Sequence, residues 1–172
     1  EFNPVKAVER INWMKKQSGW YGYWNDEAFF NSAGGYIDRY TSKLLLWKYE
    51  NSLRELDQNS SYGKLLFEDI KGPQLEHIAP ITKPSEVPES GYGEYDEDFK
   101  SKYLDCIGNH LLISGCHNGS IGNRPFEEKR KSYSHLYQQR EVQEMTKNGE
   151  SWYKKQITDR KNKIVNFLLE NY

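Results

Sequence analysis

The chain has 172 residues, of which 36% are hydrophobic and 15% aromatic, and its formal net charge is −1. That length supports one real core and one domain, and the near-neutral charge argues against a strong free-standing nucleic-acid binder. No apolar run approaches the roughly 20 residues of a membrane-spanning helix, and the start carries neither a secretory signal nor Met, so the chain reads as a cut-out or processed piece.

Residues 4–17 read as a first helix, with Pro4 in the opening turn and Val5, Val8, Ile11 and Trp13 as a loose apolar stripe. The segment from Gly19 to Gly35 is aromatic and glycine-rich (Trp20, Tyr21, Tyr23, Trp24, Phe29, Phe30), and core packing is preferred there over base stacking. Residues 1–35 are taken together as a helical, aromatic-rich N-terminal extension. Residues 36–57 form the clearest early helix, with Ile37, Tyr40, Leu44, Trp47 and Leu56 recurring every three or four positions. Asn59 to Gly63 breaks the pattern.

Gln74 to Ile78 reads as a strand ending near His77, with Pro80 just beyond. Residues 83–98 are rich in Pro, Gly and acid and read as an exposed loop, whose acids are solvated or, less simply, near a metal. Ile107 to Ser114 reads as a turn and then a strand, and Gly115 to Asn123 as a loop. Cys106 and Cys116 flank the apolar run Leu111-Leu112-Ile113. They read as two small buried thiols, too few for a disulfide scaffold or a four-cysteine zinc site, and point to a cytoplasmic protein. Pro125 opens a helix at Phe126, Ser134 to Glu144 continues helically, and Trp152 to Leu169 is a strong amphipathic helix. Charge is uneven: residues 50–100 hold 12 acids and 5 bases, whereas residues 120–172 hold 11 bases and 7 acids, so a local basic face is open to the C-terminal half.

The residues that carry chemistry are Glu76-His77, Asn109 and His117-Asn118. A carboxylate and an amide oxygen can hold a hard cation such as Mg²⁺, which keeps several waters. An imidazole with an ordinary pKa of about 6.5 can take a proton from water near neutral pH. Neighbouring side chains on a regular strand point to opposite faces, so Glu76 and His77 converge only if the strand ends there. The order strand, strand, loop, helix is that of a ββα-metal unit, and phosphodiester hydrolysis is the chemistry this inventory serves.

The run Leu75-Glu76-His77-Ile78-Ala79-Pro80, with Ile107-Gly108-Asn109 and His117-Asn118-Gly119-Ser120-Ile121-Gly122-Asn123-Arg124-Pro125-Phe126-Glu127-Glu128-Lys129-Arg130, resembles the HNH-type C-terminal domain of GmrSD-like type IV restriction proteins. The resemblance spans residues 36–172 and is dense at 75–133; Trp152, Ile157 and Arg160 resemble its C-terminal region. It implies an α+β, mostly helical domain with an embedded ββα-metal motif and a catalytic core at about 70–133. It implies a metal-dependent DNA endonuclease of a restriction or anti-phage defence protein, acting on modified phage DNA. An N-terminal nucleotide-hydrolysing domain would be attached in the full-length protein. His77 is then the general base, Asn109 its orienter, and Glu76 and Asn118 the ligands of Mg²⁺, with Mn²⁺ as the alternative. His117 competes with Asn118 for the second ligand position; an amide oxygen suits Mg²⁺ better than an imidazole does. Asn123, Arg124, Lys129 and Arg130 are the DNA-binding candidates. The rival reading is a catalytically weak DNA-docking or protein-interaction module of the same fold.

Overall fold

A computed structural model describes residues 4–16, 25–57, 63–66, 68, 74–85, 89–93 and 95–171. Among them are eight α-helices and one two-stranded antiparallel sheet, so the domain is α+β and mostly helical, as expected. Trp20, Tyr21, Tyr23, Trp24 and the Gly72-Pro73 pair lie outside the described residues.

Helix α1 (Pro4–Lys15) carries its apolar stripe on the surface: Val5, Val8, Ile11 and Trp13 are 42 to 65% exposed. Helix α2 (Asp26–Gly34) is capped by Asn25, whose side chain accepts from Ala28 N, and buries Ala33. Helix α3 (Arg39–Leu56) lies within the bounds read, residues 36–57, but of the expected stripe Tyr40 and Leu56 are exposed, and the buried face is Ser42, Leu46, Tyr49 and Glu50; Asp38 caps the helix by accepting from Tyr40 N and Thr41 N. Strand β1 (Gln74–His77) pairs with β2 (His110–Ile113) in the register Glu76 opposite Leu111 and His77 opposite His110.

The sheet divides the core, and the period of two decides which side chain goes where. Leu111 and Ile113 enter one cluster with Ile78, Tyr92, Phe99, Phe126, Tyr133 and Trp152. Leu112 enters the other, with Leu46, Tyr49, Ile107, Ile164 and Leu168. β2 is therefore buried on both faces, which explains an apolar run where an exposed sheet would alternate. Glu76 shares its face with Gln74 and lies toward the elements after β2; His77 shares its face with Leu75 and lies toward α3.

Three readings of the sequence change here. Gly115 to Ile121 is a helix, α5, not a loop, because Ser114 caps it by accepting from His117 N and because only Gly122, beyond its end, takes a positive φ. The acid-rich stretch is not simply an exposed loop. Tyr92, Tyr95 and Phe99 are buried, and Asp96 caps helix α4 (Glu97–Lys102). Asp96 and Asp98 pair with Lys154, so these acids are spent on α8 rather than on a metal near His77. Cys106 is buried but Cys116, on α5, is exposed, so the thiols are not a buried pair.

Helix α6 (Phe126–Ser132) begins after Pro125, as read, and α7 (Tyr137–Met145) follows it. Helix α8 (Lys154–Asn171) braces the β1–β2 unit from behind. Its buried Arg160 donates through Nη1 to the carbonyls of Gly108 at 2.9 Å and His110 at 2.5 Å. α2 packs on the same helix, so residues on both sides of position 35 share one core cluster.

Candidate active site

Glu76, His77, Asn118, Asn123 and Lys129 line one open cavity of about 880 Å³, with Gln74, Arg39 and Lys43 also on its wall. Five residues singled out in the sequence thus reach a common space. They reach it from two sides of β1.

On the first side, Glu76 is 5% exposed and its Oε1 accepts from Lys129 Nζ at 2.6 Å and from the Tyr133 hydroxyl at 3.2 Å. Lys129 Nζ also donates to the carbonyls of His77 and Ile78. Burial raises the Glu76 carboxyl above its ordinary pKa and lowers the Lys129 ammonium; at this distance each charge opposes the shift of the other. Glu76 Oε2 makes no hydrogen bond to a described residue. Asn118 donates through Nδ2 to Gln74 Oε1 at 2.7 Å, which leaves its Oδ1 likewise without a described partner. Carboxylate and amide oxygen on one side of a cleft form an oxygen donor set that fits a hard divalent cation, and Lys129 and Tyr133 orient the carboxylate from behind. His117 does not line the cavity. Its Nε2 bonds Ser132 Oγ at 2.8 Å and its ring lies against Tyr133 and His135.

On the second side, His77 Nε2 lies 2.9 Å from Asp105 Oδ1 and 3.0 Å from His110 Nε2. Burial pulls the His77 imidazole below its ordinary pKa, and Asp105 opposes that pull. His110 is buried and is held well below the ordinary value by burial, then by His77 and Arg160. An ionised carboxylate only accepts hydrogen bonds, so Asp105 assigns the ring hydrogen of His77 to Nε2 and leaves the lone pair at Nδ1.

Asn109 makes no hydrogen bond to the His77 ring. Its Oδ1 accepts from Ala79 N at 2.9 Å and Trp152 Nε1 at 3.1 Å, and its Nδ2 donates to the carbonyls of Ala79 and Leu104. It fixes the main chain just past His77, because a buried side-chain amide satisfies the two polar groups of Ala79 where the strand ladder stops. The ring itself is oriented by Asp105 and His110.

Of the basic candidates, Lys129 is buried. Arg130 forms a two-point pair with Glu127 at 2.8 and 2.9 Å, and Arg124 faces Glu128 at 3.4 Å. Arg39 and Lys43, one turn apart on α3, make no ion pair with a described residue. Asp105, His110, Arg39 and Lys43 were not among the residues the sequence singled out. Antiparallel pairing of the two strands would have placed His110 opposite His77. The i, i+4 spacing of Arg39 and Lys43 would have put them on one helix face. Asp105 carries no such signal.

A mostly helical domain with a two-stranded antiparallel sheet, whose first strand carries Glu76 and His77 at adjacent positions, is of the α+β class. The sequence model of "GmrSD restriction endonucleases, C-terminal domain" matches residues 14–167, and the chain belongs to that family. Membership ties it to restriction-endonuclease function. No curated protein and no solved structure matches it. Among the described residues no helix is long and apolar enough to cross a membrane.

Proposed function

We propose that this domain is an HNH-type, metal-dependent DNA endonuclease serving restriction of phage DNA. The observation that carries the reading is the shared cavity: Glu76, Asn118 and His77 line it, and Arg39 and Lys43, which make no ion pair with a described residue, stand on its wall.

His77 is the general base. Asp105 holds its Nε2 hydrogen, and Nδ1 is the atom that accepts the proton of the attacking water. Asn109 is a positioning residue, acting through the Ala79 main chain. Glu76 and Asn118 would hold Mg²⁺ or Mn²⁺, which supplies charge stabilisation at the phosphate. Arg39 and Lys43 bind the DNA backbone, with Asn123 lining the same cavity, and Arg124 and Arg130 are further backbone contacts at α6. Lys129 steadies Glu76 rather than reaching for phosphate. The substrate is modified phage DNA, and residues 36–172 are the nuclease part of a larger defence protein with a nucleotide-hydrolysing N-terminal domain.

The test is plasmid nicking with Mg²⁺ or Mn²⁺. His77→Ala lowers the rate by about 10²- to 10⁴-fold, the usual contribution of a positioned base. A His77→Ala protein that cuts like the parent removes the assignment. One observation favours the second reading, a DNA-docking module with weak catalysis: Lys129 already neutralises Glu76. That reading expects DNA binding without metal-stimulated nicking.

A further inference from the structure

We propose that His77, Asp105 and His110 bind a divalent ion of the zinc class, at a centre separate from the Glu76–Asn118 side of the cleft. One ligand atom from each residue lies within 4.8 Å of the other two. The two shortest approaches, 2.9 Å and 3.0 Å, both involve His77 Nε2. A tetrahedral ion with bonds of about 2.0–2.2 Å needs donors roughly 3.3 Å apart, so the two approaches at His77 Nε2 have to widen by a few tenths of an ångström, while the ligand atoms of Asp105 and His110 lie within 4.8 Å of each other.

Two further features point to a cation. First, the three converging atoms are short of hydrogens. A carboxylate oxygen and two imidazole nitrogens meet, and the Nε2 hydrogen of His77 is shared between two acceptors. A cation satisfies all three lone pairs at once. Second, His110 is already dressed as a ligand. Its Nδ1 lies 2.9 Å from Ser42 Oγ on α3, the outer hydrogen bond that fixes a metal-bound imidazole with Nε2 toward the ion. Two imidazoles and one carboxylate leave a fourth position open. The side chains of His77 and Asp105 are 8% and 43% exposed, so the ion has a path in past the carboxylate. Nitrogen-rich donors select zinc, cobalt or nickel, whereas the oxygens of Glu76 and Asn118 select magnesium or manganese.

Occupation has a consequence that rests on the proposed nuclease reading. An ion on His77 Nε2 displaces the hydrogen from that atom, and the neutral ring then carries its hydrogen on Nδ1. The lone pair that accepts the proton of water is gone. A zinc-class ion at this centre therefore switches the base off without touching the Mg²⁺ side.

The experiment is a Co²⁺ titration of the 172-residue chain, read by visible absorption and competed with Zn²⁺. One Co²⁺ binds per chain with the intense bands of a low-coordinate site, and Zn²⁺ bleaches them. Asp105→Asn, at a partly exposed side chain and with its fold verified by circular dichroism, weakens Co²⁺ at least tenfold. His110→Gln, its fold verified by circular dichroism, abolishes the bands. Asn118→Ala retains them. Equal binding by the parent and Asp105→Asn, or loss of binding on Asn118→Ala, overturns the proposal. In a parallel nicking assay with Mg²⁺, one equivalent of Zn²⁺ suppresses the parent and leaves the residual activity of Asp105→Asn unsuppressed. If the parent never nicks, the nuclease reading falls while the cobalt spectrum still decides the metal site.

Discussion

Lys129 Nζ and Glu76 Oε1 lie 2.6 Å apart with both side chains buried at the wall of the cavity, so each charge depends chiefly on the other. Removing one partner of such a pair costs about 3–5 kcal/mol, because the other is left uncompensated. Lys129→Met is expected to lose that much at pH 7 in urea denaturation. The loss has a definite pH dependence. Burial raises the folded-state pKa of Glu76 above its ordinary 4.5, and Lys129 is the largest restraint on that rise. A carboxyl with a raised folded pKa makes the folded state bind the extra proton, so its burden on stability grows as pH rises through the interval above 4.5. Without Lys129 the interval widens. The deficit of Lys129→Met relative to the parent therefore shrinks as pH falls toward 4.5. A deficit that is flat between pH 5 and 8 would show that Lys129 does not govern the protonation of Glu76.

Asp105 can be separated from a merely structural role by the pH profile of nicking. Burial lowers the His77 pKa, and the adjacent Asp105 raises it in part. Asp105→Asn removes the raising influence, so the imidazole loses its proton at lower pH. The acid limb of kcat/KM is expected to move to lower pH, while the plateau falls because the ring is less firmly held. A drop in rate with an unmoved limb would assign Asp105 to the fold alone.

The helices α3 and α8 were legible because a 3.6-residue apolar period over some eighteen positions has few alternatives. β2 was legible as a short apolar run, and β1 as a short segment between Gly72-Pro73 and Pro80. α5 was not, since two glycines among polar residues, with a third just past its end, carry no apolar period; its existence depends on a single serine cap and on the sheet beside it. Glu76, His77 and Asn118 stood out because their side-chain chemistry is local to a motif. Asp105 and His110 did not, because what they do is set by register and by a turn, and neither is visible until the two strands are paired.

The same limit applies to the DNA contacts. Sequence proximity to the motif favoured Arg124 and Arg130, yet their guanidinium groups are engaged by Glu128 and Glu127, both on α6. Arg39 and Lys43 line the cavity from α3, more than thirty residues earlier in the chain. Each phosphate contact contributes roughly one unit to the dependence of log K on log salt. Arg39→Gln with Lys43→Gln is expected to reduce that slope by about 2 in anisotropy titrations with duplex DNA. Arg124→Gln with Arg130→Gln is expected to reduce it by less than half as much. The opposite ranking would place the DNA on the α6 side.

Two glycines near the site make opposite predictions, and the difference lies in what surrounds them. A Cβ on Gly108 would sit 2.1 Å from the Ile157 carbonyl oxygen and 3.0 Å from Lys161 N, both main-chain atoms of α8. Neither can rotate away, so the turn carrying Asn109 must lift from the helix that braces it. Gly108→Ala is expected to cost about 1–3 kcal/mol or more, the range for overpacking a well-filled interior. Nicking should fall with it, since Asn109 is displaced from Ala79 and small displacements near a reacting centre cost up to about 10²-fold. Gly119 sits within α5 with nothing inside 4 Å of its would-be Cβ. Gly119→Ala is expected to stabilise by about 0.5–1 kcal/mol, because alanine gives up less conformational freedom in a helix than glycine does. Urea denaturation of the two variants side by side checks both signs. A stable Gly108→Ala protein would mean that α8 does not hold the catalytic turn.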